Sequence, residues 1–196
     1  METDTTMRRR SPTPLLFLCL LLCHGSSAAE NAPDPELMER LRQVASEADS
    51  FPDHFDAQVW LTDMSRRLER QVKDPVERLE ILTRVHHEAT IRNLAPELVL
   101  AVIDIESNFD HYAISHAGAR GLMQIMPFWL KEMNEIEKNL IHIDTNVRFG
   151  CTILRYYMDI EKDDMRRALG RYNGSLGKQK YPNLVLERLR TKWFRI

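Results

Sequence analysis

Apolar residues recur at helical spacing along most of the chain, and alternating, strand-like runs are nearly absent. In the first half, three helices are predicted to begin at Asp34-Pro35, Asp56 and Asp74-Pro75, where an acidic cap or an early proline marks a start. Pro52 ends the first of them. Their apolar faces are predicted to comprise Leu37, Leu41, Val44 and Ala48, then Trp60, Met64, Leu68 and Val72, then Val76, Leu79, Leu82, Val85 and Ala89.

The second half of the chain continues the helical pattern around one glycine-rich stretch that contains Gly118 and Gly121. Further helices are predicted from Pro96 to about Asn108, from Met126-Pro127, from the Asp144-Thr145-Asn146 cap, and from Asp163-Asp164 to Tyr172, where Asn173-Gly174 stops the helix. The chain shows no repeat and no internal linker. The sequence therefore predicts one all-α globular domain.

Residues 1–29 are predicted to be a secretory signal peptide. Three arginines precede an apolar run at residues 15–23, which is too short to span a bilayer, and small residues follow it. Leucine precedes both cysteines of this segment, so lipidation is not predicted, and the mature protein is expected to be exported to the periplasm. Cys151 is then the only cysteine left, and its apolar helix face predicts a buried, unreactive thiol.

The charge of the chain is unevenly distributed. The formal net charge is -2, yet residues 162–196 carry ten Lys or Arg against three acidic residues. A basic end suits an anionic polymer or the anionic surface of a membrane, although a solvated face would show the same pattern. Aromatic residues do not interleave with it as nucleic-acid stacking requires, so no nucleic-acid partner is predicted.

Glu106 is the candidate catalytic residue. Helical spacing places it on one face with Val99, Val102 and Ile103, and such surroundings raise the pKa of a carboxyl group toward the range that a general acid needs. Asp104 points elsewhere and is expected to be more solvated. The helix alone favours a carboxylate that merely caps or pairs near the helix end, and it is the residues after Glu106 that favour a catalytic role.

Small and polar residues follow Glu106 closely. Ser107 is positioned to hydrogen-bond the acid, Gly118 and Gly121 would let the backbone approach a ligand, and Gln124 offers an amide to a sugar. By contrast, His86-His87-Glu88 lacks the second histidine of a zinc helix, since Ile91 stands there, so no metal site is predicted.

From about residue 85 to about 177 the chain resembles the soluble lytic transglycosylase (SLT) family, which has a goose-lysozyme-like fold. The resemblance rests on Glu106-Ser107, Ser115, Gly118-Ala119, Gly121-Leu122-Met123-Gln124, Met126-Pro127, Asn146, Gly150 and Tyr172-Asn173-Gly174. It implies an SLT-type catalytic domain at residues 76–196, preceded by an N-terminal helical extension at residues 30–75. Phe128-Trp129 stands where the family often has Thr-Ala, and Trp129 is a candidate for stacking on a sugar ring.

The resemblance also implies roles for individual residues. Glu106 would be the catalytic acid and base, and Tyr172 would stabilise the intermediate. The other implied substrate-binding residues are Ser107, Ser115, Gly118, Met123, Gln124 and Asn173.

The activity implied by this resemblance is non-hydrolytic cleavage of the bond between N-acetylmuramic acid and N-acetylglucosamine in peptidoglycan, with 1,6-anhydromuramyl ends as products. It implies a monomer without metal or organic cofactor. Two alternatives remain open: a hydrolytic muramidase, for which Asp104 or Asp110 would be the second acid, and a non-catalytic wall-binding protein.

Overall fold

Aspartate and proline signals set where the first two described helices begin. The computed structural model describes residues 53–194 together with Glu39, Ser50 and Phe51. Helix α1 (His54–Leu68) begins after Asp53, whose side chain accepts a hydrogen bond from the backbone N–H of Asp56. The predicted cap, Asp56, is therefore wrong by three residues, and it lies in the first turn instead.

The third predicted helix begins where the sequence indicated. Helix α2 (Pro75–Thr90) is capped by Asp74, which accepts from the N–H of Val76 at 2.9 Å. Val76 itself is 48% exposed, so its predicted place on the buried face is wrong. The signal peptide lies outside the described residues, and so does the helix predicted from Asp34-Pro35, except for Glu39, which is helical.

The remaining elements are helices as well. They are α3 (Pro96–Glu106), α4 (Phe128–Glu132), α5 (Ile143–Ile160), α6 (Met165–Tyr172) and α7 (Lys180–Arg188), followed by a π-helical turn (Leu189–Trp193). Among residues 53–194, β-structure is limited to isolated bridges of Arg120 with Ile114 and Ile125. The predicted all-α fold is confirmed, whereas α7 and the π-helical turn were not predicted. No helix in the described part of the chain has the length and apolar character needed to cross a membrane.

Helix boundaries in the second half differ from the prediction at one cap. Helix α5 begins after His142, and Asp144 lies in its first turn, so the predicted cap at 144–146 is displaced. Helix α6 is capped by Asp164 and ends at Tyr172, as predicted. Cys151 is fully buried on α5, which confirms its predicted burial.

Helix α3 lies at the centre of the core. All residues from Leu98 to Asp104 are buried, and α2, α7 and the π-helical turn pack around them. Fully burying one large apolar side chain contributes about 1.5–3 kcal/mol, so this packing holds α3 firmly. The helix that ends at Glu106 is thus a rigid support.

Asp104 is buried in this core, contrary to the solvated position that was expected. Its carboxylate forms ion pairs with Arg188 and Lys192 and accepts a hydrogen bond from the indole N–H of Trp193 at 3.1 Å. These partners lie at the end of α7 and in the π-helical turn. Part of the basic C-terminal end therefore neutralises an internal charge rather than forming an open surface.

Asn146 joins α5 to the glycine-rich loop. Its side-chain oxygen accepts from the N–H of Met123 at 2.7 Å, and its amide nitrogen donates to the carbonyls of Arg120 and Leu140 at 2.8 and 2.7 Å. One turn further along α5, Gly150 leaves the space that Met123 occupies. These contacts fix the loop that faces Glu106.

Candidate active site

Glu106 is the last residue of α3 and lines a cleft of about 330 Å³. Burial raises the pKa of its carboxyl group to about 6, while a hydrogen bond from the hydroxyl of Tyr181 acts in the opposite direction. That hydroxyl lies 2.5 Å from Oε1 of Glu106. The raised pKa agrees with the direction predicted from the apolar residues on its helix face.

Five of the eight predicted site residues line this cleft: Glu106, Ser115, Gln124, Tyr172 and Asn173. Trp129, the candidate for stacking on a sugar, lines it too. The cleft thus lies where the glycine-rich loop and the helices α4, α5 and α6 meet the end of α3. Ser107, Gly118 and Met123 are not among the lining residues.

Ser107 does not hydrogen-bond the acid that precedes it. Its hydroxyl lies 2.8 Å from the carbonyl of Leu122 and 3.3 Å from that of Ile103. The expected contact with Glu106 is therefore wrong. Ser107 instead connects the end of α3 to the glycine-rich loop.

The side chain of Met123 is fully buried, and its backbone contacts Tyr172. Its carbonyl accepts a hydrogen bond from the hydroxyl of Tyr172 at 2.8 Å. Burial and the negative charge of Glu106 both hold the pKa of Tyr172 well above its ordinary value, so this hydroxyl stays protonated. A protonated hydroxyl beside Glu106 can donate to a developing negative charge only by leaving Met123.

Gln124 adopts a positive φ of 49°, and its amide nitrogen donates to the carbonyls of Gly121 and Ala113 at 3.0 and 3.2 Å. Both donor hydrogens are thereby used, which leaves the amide oxygen for a ligand. Gln124 is a hydrogen-bond acceptor in this cleft.

Three lining residues, Ser115, Ala117 and Ala119, belong to a tight turn. Gly118 has a φ of 88°, a conformation that favours glycine, and its N–H donates to the carbonyl of Ser115. The hydroxyl of Ser115 accepts from the N–H of Ala119 at 3.0 Å. An added Cβ at Gly118 would meet no atom within 4 Å, so its glycine is required by the backbone conformation and not by close packing.

Tyr181 was not singled out from the sequence. It lies on α7, and its neighbourhood was read only as a basic segment. A signal was present, because Tyr181 and Val185 are one turn apart and both are buried. That spacing indicates a helix with an inward-facing tyrosine. It does not indicate that the tyrosine contacts Glu106.

Metal-binding geometry is absent from the part of the chain that the structure describes. No group of three or more His, Cys, Asp or Glu side chains there lies close enough to hold an ion.

Comparison with known proteins identifies the family. Residues 84–185 match the family described as the transglycosylase SLT domain, which is more than half of the chain. The chain therefore belongs to the SLT transglycosylase family, as its motifs indicated.

Individual relatives are more distant. The chain is 31% identical over 104 residues to a transglycosylase of Enterobacteria phage PRD1, covering 50% of this chain and 38% of the phage protein. It thus spans 38% of the length of that curated relative. A solved structure of an inactive mutant of the lytic transglycosylase Slt from Pseudomonas aeruginosa is 21% identical and covers 80% of this chain and 34% of that one, with a TM-score of 0.46.

Proposed function

We propose that this protein is a lytic transglycosylase that cleaves peptidoglycan glycan strands with Glu106 as its single catalytic acid and base. The supporting observation is the state of that carboxyl group. It is buried at a cleft, its pKa lies near 6, and it is the only carboxylic acid among the residues that line the cleft. A group with this pKa can both give and take a proton near neutral pH.

The proposed reaction has two proton transfers. Glu106 first protonates the glycosidic oxygen between N-acetylmuramic acid and N-acetylglucosamine while the acetamido oxygen of the muramyl residue attacks its anomeric carbon. The resulting carboxylate then accepts the proton of the muramyl C6 hydroxyl as that oxygen displaces the acetamido group. The product is a 1,6-anhydromuramyl end, no water is consumed, and Glu106 is protonated again.

Tyr181 and Tyr172 support these steps in different ways. Tyr181 donates to Glu106 and stabilises the carboxylate that forms after the first proton transfer. Tyr172 lies in the same cleft with a hydroxyl that remains protonated. Tyr181 is therefore a preorganised donor that lowers the barrier electrostatically, whereas Tyr172 donates to a developing charge only after its hydroxyl leaves the carbonyl of Met123.

A hydrolytic muramidase fits the site less well. An inverting or a retaining hydrolase needs a second carboxylate across the scissile bond. Asp104 is engaged with Arg188 and Lys192, and Asp110 accepts from the N–H of Tyr112 at 2.9 Å. Neither lines the cleft.

The proposed substrate also bears on location. Peptidoglycan lies outside the cytoplasm, so the proposal includes export to the periplasm, as residues 1–29 predict, and action there as a monomer. Contact with anionic surfaces would fall to the exposed Lys178, Lys180 and Arg190, because Arg188 and Lys192 are paired internally. Arg195 lies outside the described residues.

The test is digestion of purified peptidoglycan followed by mass spectrometry of the fragments. Wild type is expected to produce anhydromuramyl ends, and Glu106→Gln is expected to lose at least about 10²-fold in rate, as the loss of a general acid typically costs. Glu80→Gln, an exposed carboxylate on α2, is the matched control and should retain activity. Reducing ends would identify a muramidase, and the absence of products would identify a non-catalytic protein.

A further inference from the structure

The cleft at Glu106 is small for a polymer. Its volume of about 330 Å³ is near the lower limit for pockets that enclose a small organic molecule. A glycan strand that reaches Glu106 must therefore continue over the surface next to the cleft. The side chains on that surface decide whether the additional sugars are bound.

Four aromatic rings follow one another next to the cleft, and one of them, Trp129, lines it. Trp129 lines the cleft, and its ring centroid is 5.2 Å from that of Phe128 and 6.4 Å from that of Tyr157. The ring of Tyr156 follows 5.4 Å from Tyr157. We call Phe128, Trp129, Tyr157 and Tyr156 the aromatic row.

The position of the row on α5 connects it to the cleft. Ile153 lines the cleft, and Tyr157 lies one turn further along the same face of the helix. Burial and the neighbouring Tyr156 raise the pKa of Tyr157, so its hydroxyl is a donor at neutral pH. Trp129 of α4 and Tyr157 of α5 thus bring rings from two helices together.

Core packing explains only part of this concentration of rings, because Trp129 and Tyr157 pack against the core whereas Phe128 and Tyr156 do not. Helix α4 contains no buried residue, although three of its five residues are Phe128, Trp129 and Leu130. Phe128 is 54% exposed and Tyr156 is 53% exposed. Exposed apolar side chains that adjoin a ligand cleft are characteristic of a binding groove.

The chemistry of the row favours sugars over the peptide stems of the wall. Flat aromatic faces offer apolar contact to the C–H faces of pyranose rings, and the two tyrosine hydroxyls can bond to sugar hydroxyls. The row itself contains no charged side chain to pair with the carboxylates of a stem peptide. Neighbouring rings of the row lie 5.2 to 6.4 Å apart, and this succession suits a polymer whose repeating units are rings.

We propose that the aromatic row binds sugar residues of the glycan strand beyond those held at Glu106, so that affinity rises with strand length. This inference rests on the proposed function, because it assigns the row to the same substrate. It predicts a preference for long strands that the cleft alone would not produce.

The test measures binding of soluble oligosaccharides of N-acetylglucosamine, from the disaccharide to the hexasaccharide, by calorimetry in a Glu106→Gln background. Phe128→Ala and Tyr156→Ala should each reduce affinity for the hexasaccharide about 3- to 10-fold, more than for the disaccharide. The matched control is Phe55→Ala on α1, which removes a ring that is 65% exposed outside the row. It should leave the affinity for every length unchanged.

Tryptophan fluorescence provides a second readout. Of the three tryptophans, Trp129 lines the cleft, whereas Trp193 is buried and Trp60 packs against Phe51 and His86. A fluorescence change on binding the hexasaccharide should therefore disappear in Trp129→Phe. That variant keeps a ring in the row and should retain most of the affinity that Trp129→Ala loses.

Two results would overturn the inference. One is an equal effect of the substitutions on short and long oligosaccharides, or no effect at any length. The other is a loss of binding to phospholipid vesicles with unchanged oligosaccharide affinity, which would make the row a lipid contact. The proposed function is judged separately by the products of peptidoglycan digestion, so anhydromuramyl ends without length-dependent binding would reject the row alone.

Discussion

The hydroxyl of Tyr181 donates a hydrogen bond to Oε1 of Glu106 across 75 positions of sequence, with 2.5 Å between the oxygens. Two opposing effects meet at this carboxyl group. Burial favours its neutral form, and the bond from Tyr181 favours its charged form. Because burial is the larger effect, the pKa settles at about 6, where one group can serve as acid and then as base.

Tyr181→Phe is expected to raise the pKa of Glu106 further and to slow cleavage. The substitution removes the effect that lowers the pKa while burial remains. A hydrogen bond to a charged group contributes about 1.5–3 kcal/mol, so we expect a rise of roughly 1–2 pKa units and a rate loss of about 10- to 100-fold. NMR titration of the Glu106 carboxyl carbon measures the first effect, and peptidoglycan digestion measures the second.

Tyr112→Phe is the matched control for Tyr181→Phe. Tyr112 is 68% exposed and does not line the cleft, so its loss should change neither the pKa nor the rate. If Tyr181→Phe left the titration of Glu106 unchanged, the assigned balance between burial and hydrogen bonding would be wrong.

Glu106→Gln is expected to stabilise the folded protein at neutral pH. The folded-state pKa of Glu106 is raised from 4.5 to about 6, so the native carboxyl group holds its proton more tightly than the unfolded one. The favourable contribution of the protonated form is fully present below about pH 4.5 and is lost as the pH rises through about 6. A shift of this size corresponds to about 2 kcal/mol.

Urea unfolding at pH values from 4 to 8 measures the free energy of unfolding of wild type and of Glu106→Gln. The difference between the two is expected to be roughly the value that linkage predicts. The variant should be more stable than wild type above pH 6, and the gap should narrow toward acid pH. A gap that stayed constant with pH would show that burial does not raise this pKa.

Residues whose partners are close in sequence were predicted correctly, and residues whose partners are distant in sequence were missed. The caps Asp74 and Asp164 were found because a cap bonds to backbone within three residues of itself. Tyr181 and the setting of Asp104 were missed because their partners lie 75 to 89 positions away. Helical periodicity describes which face is apolar, and it does not say which distant side chain will meet that face.

Ser107 shows the same limit at short range. The sequence placed its hydroxyl beside Glu106, but the carbonyl of Leu122 on the facing loop accepts its hydrogen bond instead. The side chain of a helix-end serine reaches backbone groups of a neighbouring segment as easily as the residue before it. The spaced SLT motif, by contrast, identified the cleft because it carries five residues that converge there.

Asp104→Asn is expected to destabilise the fold by roughly 1–3 kcal/mol, because it leaves two cations facing a neutral group. This loss of stability is smaller than the loss expected for a fully buried ion pair, because both cations are partly exposed. The side chains of Arg188 and Lys192 are 38% and 25% exposed, so water can solvate part of their charge. Thermal unfolding measured by circular dichroism checks the loss.

The control for Asp104→Asn is Arg190→Gln, which removes an exposed charge from the same π-helical turn. It should shift the unfolding temperature little. Equal effects of the two substitutions would mean that Asp104 does not hold the C-terminal segment against α3.

Gly150→Ala is expected to destabilise the protein by about 1–3 kcal/mol, the usual cost of overpacking, and to reduce activity as well. A Cβ at Gly150 would lie 2.1 Å from the sulfur and 2.8 Å from Cβ of Met123, so the backbone of Met123 must shift. The carbonyl of Met123 accepts the hydroxyl of Tyr172, and its N–H donates to Asn146. Movement there therefore displaces a cleft hydroxyl in addition to loosening the core.

Gly170→Ala is the matched control, since Gly170 is also a helical glycine. An added Cβ there would approach no atom closer than 3.3 Å, and alanine favours the helix by up to about 1 kcal/mol, so the stability of this variant should stay near that of wild type. Urea unfolding and peptidoglycan digestion are measured on both variants. If Gly150→Ala lost stability but kept full activity, Met123 would support the core without positioning Tyr172, and the hydrogen bond between them would have no part in catalysis.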